Sequence, residues 1–243
     1  MKTETSRKIY ASESDKRKMN NIAIRFKRST TFKRPSRLLA AFLLIATLPL
    51  QAGLALANEA AKPKVLMQTS VGEIMLELDP AKAPKSVENF IEYVNSEFYD
   101  GTIFHRVIDG FMIQGGGFTT DFGRKETRQP IKNEANNGLK NQRYTIAMAR
   151  TNAPHSATAQ FFINTEDNVS LDHTGATARG WGYAVFGRVI EGVDVVKAIS
   201  TTVTGPGGPF SRDAPQEAII IEKAMLMPAA DETAASTSGE ASQ

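Results

Sequence analysis

The chain has 243 residues, enough for one domain of ordinary size with tails, and 41% of them are hydrophobic, sufficient for a sizeable core. Cysteine is absent, which excludes disulfide staples, thiolate nucleophiles, cysteine metal sites and a lipid-bearing N-terminal cysteine. The net charge of +3 averages unlike parts: residues 1–57 carry 12 Lys/Arg against 3 Asp/Glu and the remainder 17 against 23, so the mildly acidic remainder lacks the electrostatic basis for binding nucleic acid.

The N-terminal segment has the order of a secretory signal. A basic stretch with Arg25, Lys27, Arg28, Lys33, Arg34 and Arg37 precedes an apolar run at 38–50 (LLAAFLLIATLPL). Ala55-Leu56-Ala57 follows, with small residues at the two positions a signal peptidase inspects, so residues 1–57 are expected to be removed by cleavage after Ala57. The competing reading is a retained membrane span, because residues 38–58 are uncharged and just long enough. Pro49, Gln51 and Gly53 weaken its second half. The basic region is long for a signal, which makes Met19 a second candidate start.

Residues 58–63 read as a linker to a domain at 64–228. Residues 65–69 and 73–78 alternate apolar and polar around Ser70-Val71-Gly72 and predict a β-hairpin. Pro84 opens a helix to about Ser96, with Val87, Phe90, Ile91 and Val94 at helical spacing. Short strands are expected at 102–108, 111–114, 144–149, 160–164 and 183–190, a second helix at 193–199 and a last strand at 218–226. Between them, 115–143 and 166–182 read as long irregular stretches, a length that in a compact domain marks functional loops. Many short strands with two helices imply a mainly β, closed or nearly closed antiparallel barrel. Residues 229–243 are small, polar and acidic and are expected to be disordered.

Several chemistries lack their signatures. The three histidines, His105, His155 and His173, are far apart in sequence and form no metal-ligand spacing. No G-x-S-x-G elbow accompanies the serines, and no acid–base pair stands out. Gly115-Gly116-Gly117 lacks the Lys-Ser/Thr of a phosphate loop and is better read as bulge or turn glycines. No metal or cofactor is implied.

Three segments are more specific: 104–117 (FHRVIDGFMIQGGG); 145–150 with 160–164 (TIAMAR…QFFIN); and 171–172 with 183–189 (LD…YAVFGRV). In this order and spacing, with the hairpin and helix before them, they closely resemble the cyclophilin family of peptidyl-prolyl isomerases, especially its bacterial periplasmic members, from about Val65 to Leu226. The resemblance implies an eight-stranded antiparallel barrel capped by two α-helices, with a shallow peptide groove on its outer face. Carried over position by position, the groove comprises Arg106, Phe111, Met112, Gln114, Ala149, Arg150, Gln160, Phe162, Leu171 and Tyr183. It also implies action on proline-containing unfolded or partly folded chains, in the periplasm given the signal, by a monomer without stable membrane association after cleavage.

These residue types suit the chemistry. Delocalisation of the nitrogen lone pair gives the peptide bond a rotation barrier of ~18–20 kcal/mol, and X-Pro isomers interconvert over roughly tens to hundreds of seconds. In the twisted transition state the lone pair returns to the prolyl nitrogen, which then accepts a hydrogen bond. A permanently charged donor placed there favours the twisted amide over either planar one, and Arg106 is the candidate. Phe111, Met112, Phe162 and Leu171 would take the proline ring. Gln114, Gln160 and the main chain near Arg150 would hold the substrate backbone. Taken singly, an Arg in a strand is more often a surface ion pair, and a Phe or Met barrel core. Strict alternation along the strand turns His105 inward when Arg106 faces the groove.

The chain departs from the family at Ser170, where cyclosporin-sensitive members carry Trp; weak cyclosporin binding is expected. Tyr183 stands where many eukaryotic relatives have His, and Arg150 where they often have Asn. The loop 174–182, which holds the only tryptophan, Trp181, is longer than usual. A non-catalytic peptide-binding or chaperone module on the same fold is the alternative function, and a membrane-tethered scaffold follows if the signal is retained.

Overall fold

The computed structural model describes residues 62–228. The expected signal at 1–57, most of the linker and the expected tail at 229–243 lie outside the described residues.

In chain order the elements are β1 (Lys64–Thr69), β2 (Gly72–Leu78), α1 (Pro84–Asn95), β3 (Thr102–Ile108), β4 (Met112–Thr119), β5 (Thr145–Met148), β6 (Phe161–Asn164), β7 (Val185–Glu191), α2 (Val193–Ser200), β8 (Thr204–Gly207), β9 (Phe210–Pro215) and β10 (Ile220–Leu226), with a 3-10 turn at Val169–Leu171. Eight strands close into an antiparallel barrel in the order β1-β10-β3-β4-β6-β5-β7-β2, while β8 and β9 form a separate two-stranded ribbon. This is the capped eight-stranded barrel that the sequence led us to expect.

Period-2 patterning builds the interior. Val65 and Met67 on β1, and Ile74, Leu76 and Leu78 on β2, are completely buried while their neighbours face outward. Helix α1 starts at Pro84, where the missing N–H costs nothing. Its Phe90 reaches the barrel aromatics, with ring centroids 5.1 Å from Tyr99, 5.7 Å from Phe161 and 5.1 Å from Phe186. Helix α2 adds Val196 and Ile199 to the same core.

Four expectations are corrected. Strand β4 continues through Gly115–Gly117 instead of ending at Gln114. Glycine is needed there for packing: a Cβ on Gly116 would lie 2.8 Å from the rings of both Phe161 and Tyr99, and one on Gly117 would lie 2.5 Å from Gln160 Cγ. Tyr144 does not begin β5, because its φ of 67° is left-handed and incompatible with a strand. The β8–β9 ribbon was not anticipated. Finally, the β3–β4 register shifts between Phe104 and Arg106, since Phe104 pairs with Gly115 and Arg106 with Gln114. Such a bulge interrupts the inside–outside alternation. Phe104 and Val107 join the core, but His105, only 2% exposed, is buried outside the barrel beneath β9, its ring 5.3 Å from Phe210 and 4.7 Å from Phe118.

Candidate active site

On β4, β5 and β6 the alternation leaves a second set of apolar side chains on the outer face. Ile113, Ile146, Met148, Phe161 and Ile163 point into the core, whereas Met112, Ala147, Phe162 and, from β7, Val185 form a separate cluster. Phe111, Ala149, Leu171 and Tyr183 pack against this cluster and remain partly exposed. Together they floor a hollow of about 300 Å³ lined by Arg106, Phe111, Met112, Gln114, Ala149, Arg150, Phe162, Leu171 and Tyr183.

Nine of the ten sequence-predicted site residues thus line one hollow. The tenth, Gln160, lines an adjoining hollow of about 110 Å³ with Arg124, Ser156 and Thr158, and its side-chain oxygen accepts a hydrogen bond from Gln114 Nε2 at 2.9 Å. Gln114, Ala149 and Arg150 border both hollows, so the two form one groove.

Three supports fix the walls. Tyr183 meets Phe162 edge-on at 5.6 Å, and its other partner is the guanidinium of Arg150, 4.6 Å from the ring centroid. Arg150 is itself tied down: its nitrogens donate to the carbonyls of Gly182 (2.8 Å), Thr151 (2.9 Å) and Ala178 (3.2 Å). The loop 174–182, to which the sequence assigned no role, therefore clamps Arg150 over Tyr183. Trp181 does not line the hollow. It sits between His155 (4.7 Å) and His173 (5.6 Å), and its indole N–H reaches the Asn133 carbonyl at 3.4 Å. Among the described residues no group of three or more His, Asp or Glu is placed to hold a metal.

The third support is a buried polar network that the sequence did not reveal. Asn168 Nδ2 donates to the Phe111 carbonyl (2.7 Å) and to Asn164 Oδ1 (2.7 Å), and Asn164 Nδ2 donates to Thr145 Oγ1 (2.9 Å). Asn141 donates from its backbone (2.8 Å) and its side chain (3.2 Å) to Asp172 Oδ1. The network joins the segment before the 3-10 turn to the base of the Phe111 wall, with its polar groups satisfied.

Arg106 projects from β3 at the rim of the hollow, half-exposed and opposite Gln114. Asp213 of β9, which sequence reasoning missed, faces it. The arrangement offers an apolar seat for a ring, amide groups for a peptide backbone, and one permanent cation at the edge. It contains no pairing of nucleophile and base.

The comparisons with known proteins decide the family. A family model described as cyclophilin type peptidyl-prolyl cis-trans isomerase/CLD matches residues 64–226. The chain belongs to the cyclophilin-type peptidyl-prolyl cis-trans isomerases. This cyclophilin is 61% identical over 163 residues to a peptidyl-prolyl cis-trans isomerase of Streptomyces antibioticus, covering 67% of the present chain and 98% of the relative. It is 55% identical over 158 residues to peptidyl-prolyl cis-trans isomerase B of Escherichia coli, covering 65% and 96%. A crystal structure of a Cryptosporidium parvum cyclophilin type isomerase in the presence of the dipeptide Ala-Pro matches with a TM-score of 0.54 at 26% identity, covering 68% of this chain and 99% of that one. This cyclophilin is accordingly an enzyme of the isomerase class.

Proposed function

We propose that this cyclophilin accelerates X-Pro isomerisation without a covalent intermediate, by stabilising the twisted amide. The proline ring enters the hollow formed by Phe111, Met112, Phe162 and Leu171. Gln114, Gln160 and the main chain near Arg150 hold the flanking backbone, and the Arg106 guanidinium donates to the prolyl nitrogen as its lone pair localises. The observation that carries this reading is the half-exposed Arg106 at the edge of an apolar hollow that is separate from the core.

The test is an isomerisation assay on a short X-Pro peptide. Arg106→Ala is expected to lower kcat/KM roughly a hundred-fold, the scale of losing one preorganised transition-state donor. Equal rates in the two proteins would remove Arg106 from this role. Peptide binding without acceleration by the wild type would favour the non-catalytic peptide-binding or chaperone module.

We further propose that the clients are exported proteins and that the enzyme works as a monomer in the periplasm. The basic segment, the apolar run at 38–50 and Ala55-Leu56-Ala57 support this reading. N-terminal sequencing of the protein from a periplasmic extract should begin at Asn58; a full-length chain in the membrane fraction would indicate the tethered form instead. Cyclosporin should bind weakly, because Ser170 is small and exposed at the 3-10 turn where sensitive relatives offer an indole.

A further inference from the structure

A guanidinium on a long side chain must be aimed before it can meet one nitrogen in one transition state. Arg106 starts from a poor position for that task. It lies next to a bulge, and its side chain is 37% exposed. Among the described residues no hydrogen bond joins Arg106 to cross-strand Gln114, whose amide N–H donates to Gln160.

Among the described residues the one carboxylate beside Arg106 is Asp213, whose Oδ2 lies 3.9 Å from Arg106 Nε. That separation is too long for a hydrogen bond and short enough for a charge attraction. Asp213 belongs to the ribbon, not to the barrel, and the ribbon is fastened on both sides of it. Phe210 stacks on His105, the residue before Arg106, at 5.3 Å and meets Phe118 edge-on at 5.3 Å, and Ala214 is fully buried. Asp213 has a left-handed φ of 65°. Apart from glycine, Asp and Asn adopt that conformation most readily, and only Asp also supplies a charge. The other cation near the same oxygen, Arg212 with Nε at 3.6 Å, is 83% exposed and stands in solvent.

We propose that Asp213 is a positioning residue for Arg106. Its carboxylate draws the Nε side of the guanidinium toward the ribbon and turns the two terminal nitrogens to the hollow. The ribbon then serves as a bracket for one side chain of the barrel. The inference rests on the role given to Arg106 above, and the experiment separates the two.

Steady-state kcat and KM for an X-Pro peptide are measured for wild type, Asp213→Asn, Asp213→Gly, Arg106→Ala and the Asp213→Asn/Arg106→Ala double variant, with thermal unfolding of each. Asn tolerates the left-handed backbone and Gly prefers it, so neither substitution is expected to lower the unfolding midpoint. With aim lost and seat intact, kcat should fall roughly three- to ten-fold at unchanged KM in both variants. In the Arg106→Ala background the Asp213→Asn change should have no further effect, as required when one residue acts through the other. Full activity in Asp213→Asn beside a large loss in Arg106→Ala overturns the positioning role alone, as does an equal fold loss in both backgrounds. Full activity in Arg106→Ala overturns the Arg106 assignment and this inference together.

Discussion

Gln160, just before β6, accepts a hydrogen bond at 2.9 Å from Gln114 on the adjacent strand β4, and it lies where a Cβ on Gly117 would stand 2.5 Å from its Cγ. The groove amides are thus held as a pair whose seat depends on a glycine. Gln160→Ala is expected to lower kcat/KM about three- to ten-fold, the scale of one peptide hydrogen bond. Gly117→Ala, by pushing the same side chain aside, should lose a comparable amount while urea unfolding shifts by about 1 kcal/mol or less. Wild-type kinetics in Gly117→Ala would show that Gln160 does not need this seat.

Helix α1 lacks a cap of its own, since Ala83 stands at the N-cap without a side-chain bond. The Glu134 carboxylate supplies the cap from 49 residues away. It accepts from the backbone N–H of Lys85 (3.0 Å) and Ser86 (2.8 Å) and from Ser86 Oγ (2.8 Å). Glu134→Ala should destabilise the domain by about 2 kcal/mol, near the upper end for a lost helix cap, and Glu134→Gln by less. Chemical denaturation measures both; an unchanged midpoint in Glu134→Ala would exclude the capping role.

Burial, aided by the adjacent Arg106 charge and opposed by the Ile103 backbone, lowers the His105 pKa from 6.5 to about 4. The unfolded chain takes up this proton as pH falls through 6.5 and the folded chain only near 4. The stability associated with neutral His105 is therefore complete above pH 6.5 and declines below it. By pH 4 about 3 kcal/mol is lost. Urea titrations at pH 7 and pH 4.5 should show a larger drop for wild type than for His105→Phe. Parallel pH profiles would mean that the imidazole does not titrate in this window.

Ser170 is exposed at the 3-10 turn that carries Leu171 into the hollow, whereas Trp181 is held elsewhere by His155 and His173. Ser170→Trp adds an aromatic anchor at the groove rim and should tighten cyclosporin inhibition by about ten-fold or more, with peptide isomerisation within about two-fold of wild type. An unchanged inhibition constant would show that position 170 does not set cyclosporin affinity.

How much of this was legible in the sequence follows from the range of the forces involved. The β1–β2 hairpin and α1 follow from local periodicity, whereas the outward placement of Met112 and Phe162 was legible only through the resemblance carried by the motifs around Arg106, Gln114 and Phe162. The β8–β9 ribbon was not legible: Gly205, Pro206, Gly207, Gly208 and Pro209 read as loop, and β8 shows no buried face. What holds the ribbon is the stacking of Phe210 on His105, a contact across more than a hundred residues. The same holds for Glu134 at α1. The bulge at His105 was hidden because a register shift changes which face a residue occupies without leaving a mark on the alternation read from one strand. The side-chain role of Arg150 was hidden because its acceptors are carbonyls of a loop without periodic signal.

Closure of the barrel has a consequence for how an extended peptide can meet this domain. Every one of the eight strands has a partner on both sides, with β3 joined to β10 at two residue pairs, so the barrel leaves no strand with a wholly open edge for a peptide to pair with. The open edges among the described residues belong to the short ribbon, which carries Pro206 and Pro215. Under the proposed function a peptide is grasped by side chains in a furrow and not by addition to the sheet.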